Sequence, residues 1–347
     1  MTRKRNQDEG ITVVRLGEGP TLREDEIDDW YRIVAACQAV DKPGGPEKPA
    51  ADRDRVRTVL RAPRSGERML RWLARDTAGA AVGTGQLRLL DTEGLGELAR
   101  LHIAVHPEHR REGIGGVLLE AVKAEAAAAG RRSLGTIVGT GSAAERLLAS
   151  GGFTAGQGFR RLRLDVADCD QDALRATVKA ASEGYHLARW QGVVPADLAA
   201  EYAVARNAMS DTVGTDVDHV RGSWDEARVR GLAEGYAARG DALLTVAALC
   251  EDERGLETVA GFSEIVLQAG GGPVAQQTDT AVAQAHRGRG LGLWVKASML
   301  QWLLGAHPEV AAVETLCADS NQHMIAINEQ LGFETVRQER GYRLQLA

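Results

Sequence analysis

Two short runs of this chain combine arginine and glycine in the pattern that holds a pyrophosphate. One is Arg110-Arg111-Glu112-Gly113-Ile114-Gly115, the other Arg287-Gly288-Arg289-Gly290-Leu291-Gly292, and both read Arg-x-x-Gly-x-Gly. Each follows a run of β character and opens a stretch of helical period. A helix start has backbone N–H groups without intrahelical partners and the positive end of the helix dipole, so anions collect there. Glycine lets the backbone approach phosphate oxygens and adopt left-handed conformations, and a nearby arginine can add charge-assisted bonds. A single Gly-x-Gly is far more often a tight turn before an ordinary helix. Its repetition in the same strand–loop–helix context favours a ligand loop.

The two runs are 177 residues apart (287 − 110 = 177), and Gly152-Phe153 returns as Gly332-Phe333. Matching landmarks in matching order mark a duplicated domain. Neither copy is a P-loop, since Gly-x-x-x-x-Gly-Lys-Ser/Thr does not occur, and neither has the Gly-x-Gly-x-x-Gly and later acidic residue of a dinucleotide fold.

Both halves position the loop with the same succession of elements. In the first, strands are expected at 11–16, 68–76, 82–90 and 98–105, with an amphipathic helix carrying Ile27, Trp30, Tyr31, Val34 and Ala35 on one face and a second near 51–60. The loop's helix follows at 114–129, then a strand at 133–138, a short helix at 142–149 and a last strand at 159–166. The second half repeats this order. It has a strand at 185–190, helices at 195–208 (with Pro195 in the first turn) and 224–239, and strands at 242–250, 257–267 and 274–283. The loop helix at 291–304, a strand at 310–317, a short helix at 321–331 and a last strand at 342–346 complete it. Domains are thus expected at 1–167 and 184–347, joined by a helical linker at 168–183.

Composition narrows the function. A chain of 347 residues holds two domains of ordinary size. Its longest apolar stretches fall far short of a membrane span, and the polar start at 1–10 is unlike a signal peptide. Cys37, Cys169, Cys250 and Cys317 are scattered and form no metal-ligand cluster, which suits a reducing cytoplasm and argues against zinc or thiol chemistry. The net charge is −6, with the acidic excess in the second half; this is more often a solvated acidic surface than a preference for a cationic amine, and neither half has the basic face of a nucleic-acid binder.

With these residues in view, each half resembles the Gcn5-related N-acetyltransferase (GNAT) family. The first half carries the resemblance in the run from Ala104 through His106-Pro107-Glu108-His109-Arg110 to Gly115. The second carries it in Thr280, Val282, His286-Arg287-Gly288, Leu291-Gly292, Lys296, Asn321, Met324, Asn328 and Leu331-Gly332-Phe333. The second half is similar to tandem GNAT acetyltransferases of actinobacterial type, a group with mycothiol-synthase-like proteins and enzymes of antibiotic gene clusters. The resemblance implies an α/β fold with mixed sheets, two tandem acyl-CoA N-acyltransferase domains, and acetyl-CoA or coenzyme A as cofactor, with as many as one per domain. It places the pyrophosphate on the backbones of Arg110, Arg111, Gly113, Ile114, Gly115 and Gly116, and of Arg287, Gly288, Arg289, Gly290, Leu291 and Gly292. Val105, Ala281 and Val282 would line the splayed strands that admit the pantetheine arm. Asn321 and Asn328 would contact the cofactor, or else serve as helix cap and solvated polar residue. Many GNAT enzymes carry a tyrosine acid on the short helix; here those positions are Leu148 and Asn328, and Cys317 stands where relatives have Asn.

N-acylation requires a neutral amine, and an alkyl ammonium has a pKa around 10. A base must take the proton and an N–H donor must hold the oxyanion. On the strand that feeds each loop, the ionisable candidates are His102 and Asp279, opposite in face to Val105 and Val282 by alternation. Glu264 and Glu314 compete in the second half and Glu97 in the first. The fuller motif and extra carboxylates favour the second half as catalytic. The expected activity is acyl transfer from CoA to a small primary amine in specialised metabolism, by direct attack in a ternary complex. The alternative is a non-catalytic acyl-CoA-binding or regulatory protein. No metal, nucleic-acid or membrane partner is expected.

Overall fold

Apolar alternation broken by glycine and polar residues divides the chain into twelve strands and nine α-helices among the described residues. The computed structural model describes residues 10–41, 52–62, 67–91, 96–180, 183–207, 223–269 and 272–346. Most of 1–10 and 41–49, Ala51 and the end of the helix expected at 195–208 lie outside them.

The first half runs β1 (Thr12–Arg15), α1 (Glu24–Val40), α2 (Arg53–Arg61), β2 (Glu67–Arg75), β3 (Ala81–Leu90), β4 (Leu98–Val105), α3 (Ile114–Ala128), β5 (Ser133–Gly139), α4 (Ala143–Ser150) and β6 (Thr154–Asp165). After α5 (Gln171–Lys179) come β7 (His186–Gln191), α6 (Ala199–Asn207), α7 (Glu226–Ala237), β8 (Ala242–Glu251), β9 (Glu257–Leu267), β10 (Val274–Val282), α8 (Leu291–Ala306), β11 (Ala312–Ala318), α9 (Gln322–Gln330) and β12 (Glu334–Gln345). The helix expected from Pro195 begins later, at Ala199. Pro195 instead opens a turn in which Leu198 N donates to its carbonyl at 3.0 Å.

Two compact units result, 1–156 with 340–347, and 157–339. They differ from the sequence halves by one strand each. From Gln157 on, β6 belongs to the second unit and runs antiparallel to β11, with Phe159 opposite Ala318 and Asp165 opposite Ala312. From Arg340 on, β12 belongs to the first unit beside β5, and Leu346 N donates to Arg132 O at 2.8 Å. The expected last strands therefore exist, but each lies in the other half's sheet. Leu162 and Leu164 bury in the second core, while Tyr342 and Leu344 pack in the first.

The sheet order in the first unit is β1-β2-β3-β4-β5-β12, and in the second β7-β8-β9-β10-β11-β6. Both are mixed: β4–β5 and β10–β11 are parallel, and the other pairings with a determined register are antiparallel. Helix α3 buries Ile114, Leu118, Leu119, Val122 and Ala126, a single stripe facing β3 and β4. Helix α8 is apolar nearly all round because α5 covers its second side. Leu174 and Val178 join that core, and Trp294 Nε1 donates to Val178 O at 2.9 Å. The opposite sheet faces carry α1 and α2 over Leu73 and Ala81, and α6 and α7 over Phe262 and Ala281.

Candidate active site

Each loop turns into its helix through left-handed backbone. Gly113 has φ +85° and Gly290 φ +74°, one residue before α3 and α8. A Cβ on either would meet nothing within 4 Å, so conformation and not space demands glycine there. The next glycine of each motif is held by space: a Cβ on Gly115 would lie 3.2 Å from Leu147, and one on Gly292 3.2 Å from Ile327. Arg110 and Arg287 brace the loops from within. Nε of each donates at 3.2 Å to the carbonyl ending its strand, Val105 or Val282. Arg110 also grips Asp41 through both terminal nitrogens, at 2.7 and 2.6 Å. The second loop is further held where Tyr185 OH lies 2.8 Å from His286 Nδ1, with the Arg289 guanidinium 5.9 Å from the Tyr185 ring centre.

Beyond each loop the parallel strands separate. Strand β4 pairs with β5 only over Leu98–Arg100 against Ser133–Gly135, and β10 with β11 only over Val274–Gln277 against Ala312–Thr315. Past those points the facing edges run on to Val105 and Gly139, and to Val282 and Ala318, with the peptide groups of a wedge available to an extended amide-bearing arm. An anion-binding helix start at the mouth and a peptide-lined wedge behind it fit a pyrophosphate joined to a pantetheine arm, in both units.

The carboxylates of the second unit sort into two groups. Glu264 and Asp279 are drawn together by Arg206 of α6, whose NH1 donates to Glu264 Oε1 at 2.5 Å and NH2 to Asp279 Oδ2 at 2.8 Å. Tyr202 OH donates to the same Glu264 oxygen at 2.5 Å. The guanidinium is fully buried and sits 4.0 Å from the Trp224 ring centre and 5.5 Å from that of Phe262. Burial pushes the Glu264 carboxyl above its ordinary value while Arg206 pulls against it, and burial also holds the Tyr202 phenol well above its own. One Glu264 oxygen thus accepts from both Tyr202 and Arg206. Asp279, with its side chain 22% exposed, is the acid of the cluster that reaches solvent. Glu314 lies apart, with NH1 of Arg163 at 3.2 Å and Arg161 at 3.9 Å.

A bulge aims Asp279. Gln277 pairs with Ile265 but Thr280 with Ser263, so β10 holds one extra residue there. Gln277 consequently faces α8 while Asp279, two residues on, faces α6; in an unbroken strand they would share a face. The counterpart strand β4 pairs with β3 from Ala99 to Val105 without a shift.

Comparison with known proteins settles the architecture. Residues 69–159 match the acetyltransferase (GNAT) domain family. A tandem GNAT protein from the clavulanic acid biosynthesis pathway is similar over 97% of this chain and 99% of its own, at 26% identity and a TM-score of 0.77. The fold is that of a tandem GNAT protein. A GCN5-related N-acetyltransferase from Sphaerobacter thermophilus is similar over 96% of both chains (15% identity, TM-score 0.65). A putative acetyltransferase from Pyrococcus horikoshii is similar over 96% of this chain and 89% of its own (13%, 0.51). Among curated protein sequences none gives a significant match.

The two units are chemically unequal. In the first, His102 stays accessible, yet surrounding protein desolvates it enough to hold its imidazole below the ordinary value. Glu97 forms an exposed ion pair with Arg132 at 3.3 Å. In the second, Asn321 spends its side chain capping α9, accepting from Met324 N at 3.2 Å. Asn328 is buried on α9 with both ends of its amide unpartnered. Sequence reasoning missed Arg206. A lone arginine on an amphipathic helix reads as a surface residue, and only its closeness to Glu264 and Asp279 could have revealed it. Among the described residues no helix is long and apolar enough to cross a membrane.

Proposed function

We propose that this protein is an acetyl-CoA-dependent N-acyltransferase that acylates a small primary amine by direct attack in a ternary complex. The observation carrying this reading is the duplicated wedge behind a left-handed glycine loop, which suits the diphosphate and the amide-bearing arm of coenzyme A together. Bound there, coenzyme A supplies the activated acyl thioester. The backbones of Arg110–Gly116 and Arg287–Leu293 hold its diphosphate, and Val105, Ala281 and Val282 line the arms of the wedges. The domains are read as 1–167 and 184–347 with 168–183 between, each exchanging its last strand.

The second unit is the transferring one in this reading. Its bulge sends Asp279 to the α6 side, where Arg206 fixes the carboxylate while leaving it accessible. Asp279 attracts the acceptor ammonium and takes its proton, through water because an ion-paired carboxylate is a weak base. Backbone N–H groups of β10 stabilise the oxyanion. Glu264 and Tyr202 orient Arg206. The first unit, with its regular β4, serves as a coenzyme A-binding unit. A place in specialised metabolism, in the cytoplasm, is supported by the clavulanic acid pathway relative and by four free cysteines. Release of free CoA thiol from acetyl-CoA, followed with a panel of small primary amines, tests the activity. Release with none of them would favour a binding protein instead.

A further inference from the structure

Inside the second unit lies a polar chain that the reaction as described leaves unused. Lys296, on the inner side of α8, is 1% exposed, and its Nζ donates to Gln277 Oε1 at 2.5 Å. Gln277 Nε2 donates to Ser263 Oγ at 2.9 Å, and Ser263 Oγ is 2.8 Å from Thr280 Oγ1. Gln277, whose side chain accepts from the amine, is the last residue of β10 paired with β11 and so marks the apex of the wedge. The Phe333 ring centre lies 5.5 Å from Nζ, and the Cys317 thiol of β11, past the last paired residue of that strand, acts on it electrostatically.

Burial lowers the Lys296 ammonium from 10.5 to about 7. Burial also raises the Cys317 thiol to about 11, against the pull of Lys296 and with the Asp319–Arg160 pair beyond it, so this neighbour stays neutral while the lysine titrates. Asn328 is an independent sign of a polar ligand atom nearby. It shares the inner side of α9 with Met324 and Ile325, against the same core, and neither its Oδ1 nor its Nδ2 has a partner.

On the transferase reading of this unit, we propose that Lys296 is the proton donor to the departing thiolate of coenzyme A. That duty lacks a tyrosine in both halves, where Leu148 and Asn328 stand on the short helices. As the acceptor nitrogen bonds the carbonyl carbon, the C–S bond breaks with its electron pair left on sulfur, and Nζ gives that sulfur a proton. The proton that Asp279 and water take from the ammonium replaces it. One ammonium and one thioester become one amide, one thiol and one released proton. The first unit has Leu119 at the matching place (296 − 177 = 119), buried in its core, and so cannot perform this step.

The test reads the thiol of bound coenzyme A, apart from turnover. Thiolate absorbance is titrated with CoA on the full-length wild type, Lys296→Met and Lys296→Gln. In the wild type, one bound thiol should titrate about one to three units below its value in either variant. CoA held by the first unit, over Leu119, should be the same in all three. The kcat of both variants should fall about a hundred- to ten-thousand-fold, with loss of the alkaline limb near pH 7 and little change in KM for acetyl-CoA. Lys296→Gln keeps a donor toward Gln277, so it separates lost packing from the lost proton. A wild-type thiol titration in either variant overturns the proposal and leaves the transferase reading intact. Failure of the wild-type chain to bind CoA overturns both.

Discussion

Arg111 and Gly288 occupy the same place in the two loops, and both are left-handed, at φ 73° and 76°. Arg111 is the lone non-glycine with positive φ among the described residues. The turn therefore fixes this conformation even where the side chain opposes it, at a cost of about 1–2 kcal/mol. Arg111→Gly relieves that cost but loosens the unfolded chain by about 0.4–1 kcal/mol. Stability should stay level or rise by up to about 1.6 kcal/mol, read as a level or higher unfolding midpoint. Gly288→Arg should lower it, and a marked loss in Arg111→Gly would show that this side chain does more than tolerate the turn.

If both loops hold diphosphate, acetyl-CoA titrations by calorimetry should approach two per chain, with affinities free to differ. Gly290→Val forces a β-branched residue into φ +74° and should remove the second unit's site and the turnover with it. Gly113→Val should remove the other site and spare turnover. The reverse pattern would move the chemistry to the first unit.

Arg206 neutralises two acids inside the second unit. Arg206→Met leaves Glu264 buried without its cation and should cost about 3–5 kcal/mol in urea unfolding. Adding Glu264→Gln to it should recover a large part of that loss. No recovery in the double variant would place the energy in the stacking on Trp224 and not in the ion pair.

Asp279→Asn keeps the shape of the side chain and removes its charge. CoA binding should persist while kcat at pH 7 drops about a hundred- to ten-thousand-fold, and raising the pH should restore part of it as solvent deprotonates the amine. Unchanged turnover would falsify the role and turn attention to Glu314.

The Lys296 ammonium also makes stability depend on pH. Its folded pKa, about 7, is below the ordinary 10.5, so between those values the unfolded chain binds the extra proton. The destabilisation is full below about pH 7 and disappears as pH rises past 10.5. Lys296→Met should therefore be the more stable protein at neutral pH, with the advantage shrinking across that window in denaturant titrations. A difference independent of pH would mean that the lysine is charged or neutral in both states alike.

Much of the architecture was legible because glycine and apolar period are local signals. The two loops and their helices follow from spacing. Alternation fixes which face of 159–166 and 342–346 is buried but not the neighbour each strand pairs with, and so the exchange was invisible. The bulge at 277–280 hides for the same reason: an inserted residue shows only against its partner strand. Pro195 fits a first helical turn and an isolated turn equally well. Asn321 in sequence suits a cap or a ligand contact alike, and only the folded chain shows Met324 N donating to it.

The exchange of β6 and β12 bears on how the chain can be made. The open edge of β5 carries unpaired peptide groups, the kind that recruit stray strands. On the ribosome it must wait for Arg340–Ala347, which is translated after every other described strand, so the unit begun first is finished after the second. Splitting the gene at the linker would yield two fragments, each lacking the segment that closes its own sheet and carrying the one its sister needs. Such fragments should aggregate when expressed singly and rescue each other when expressed together.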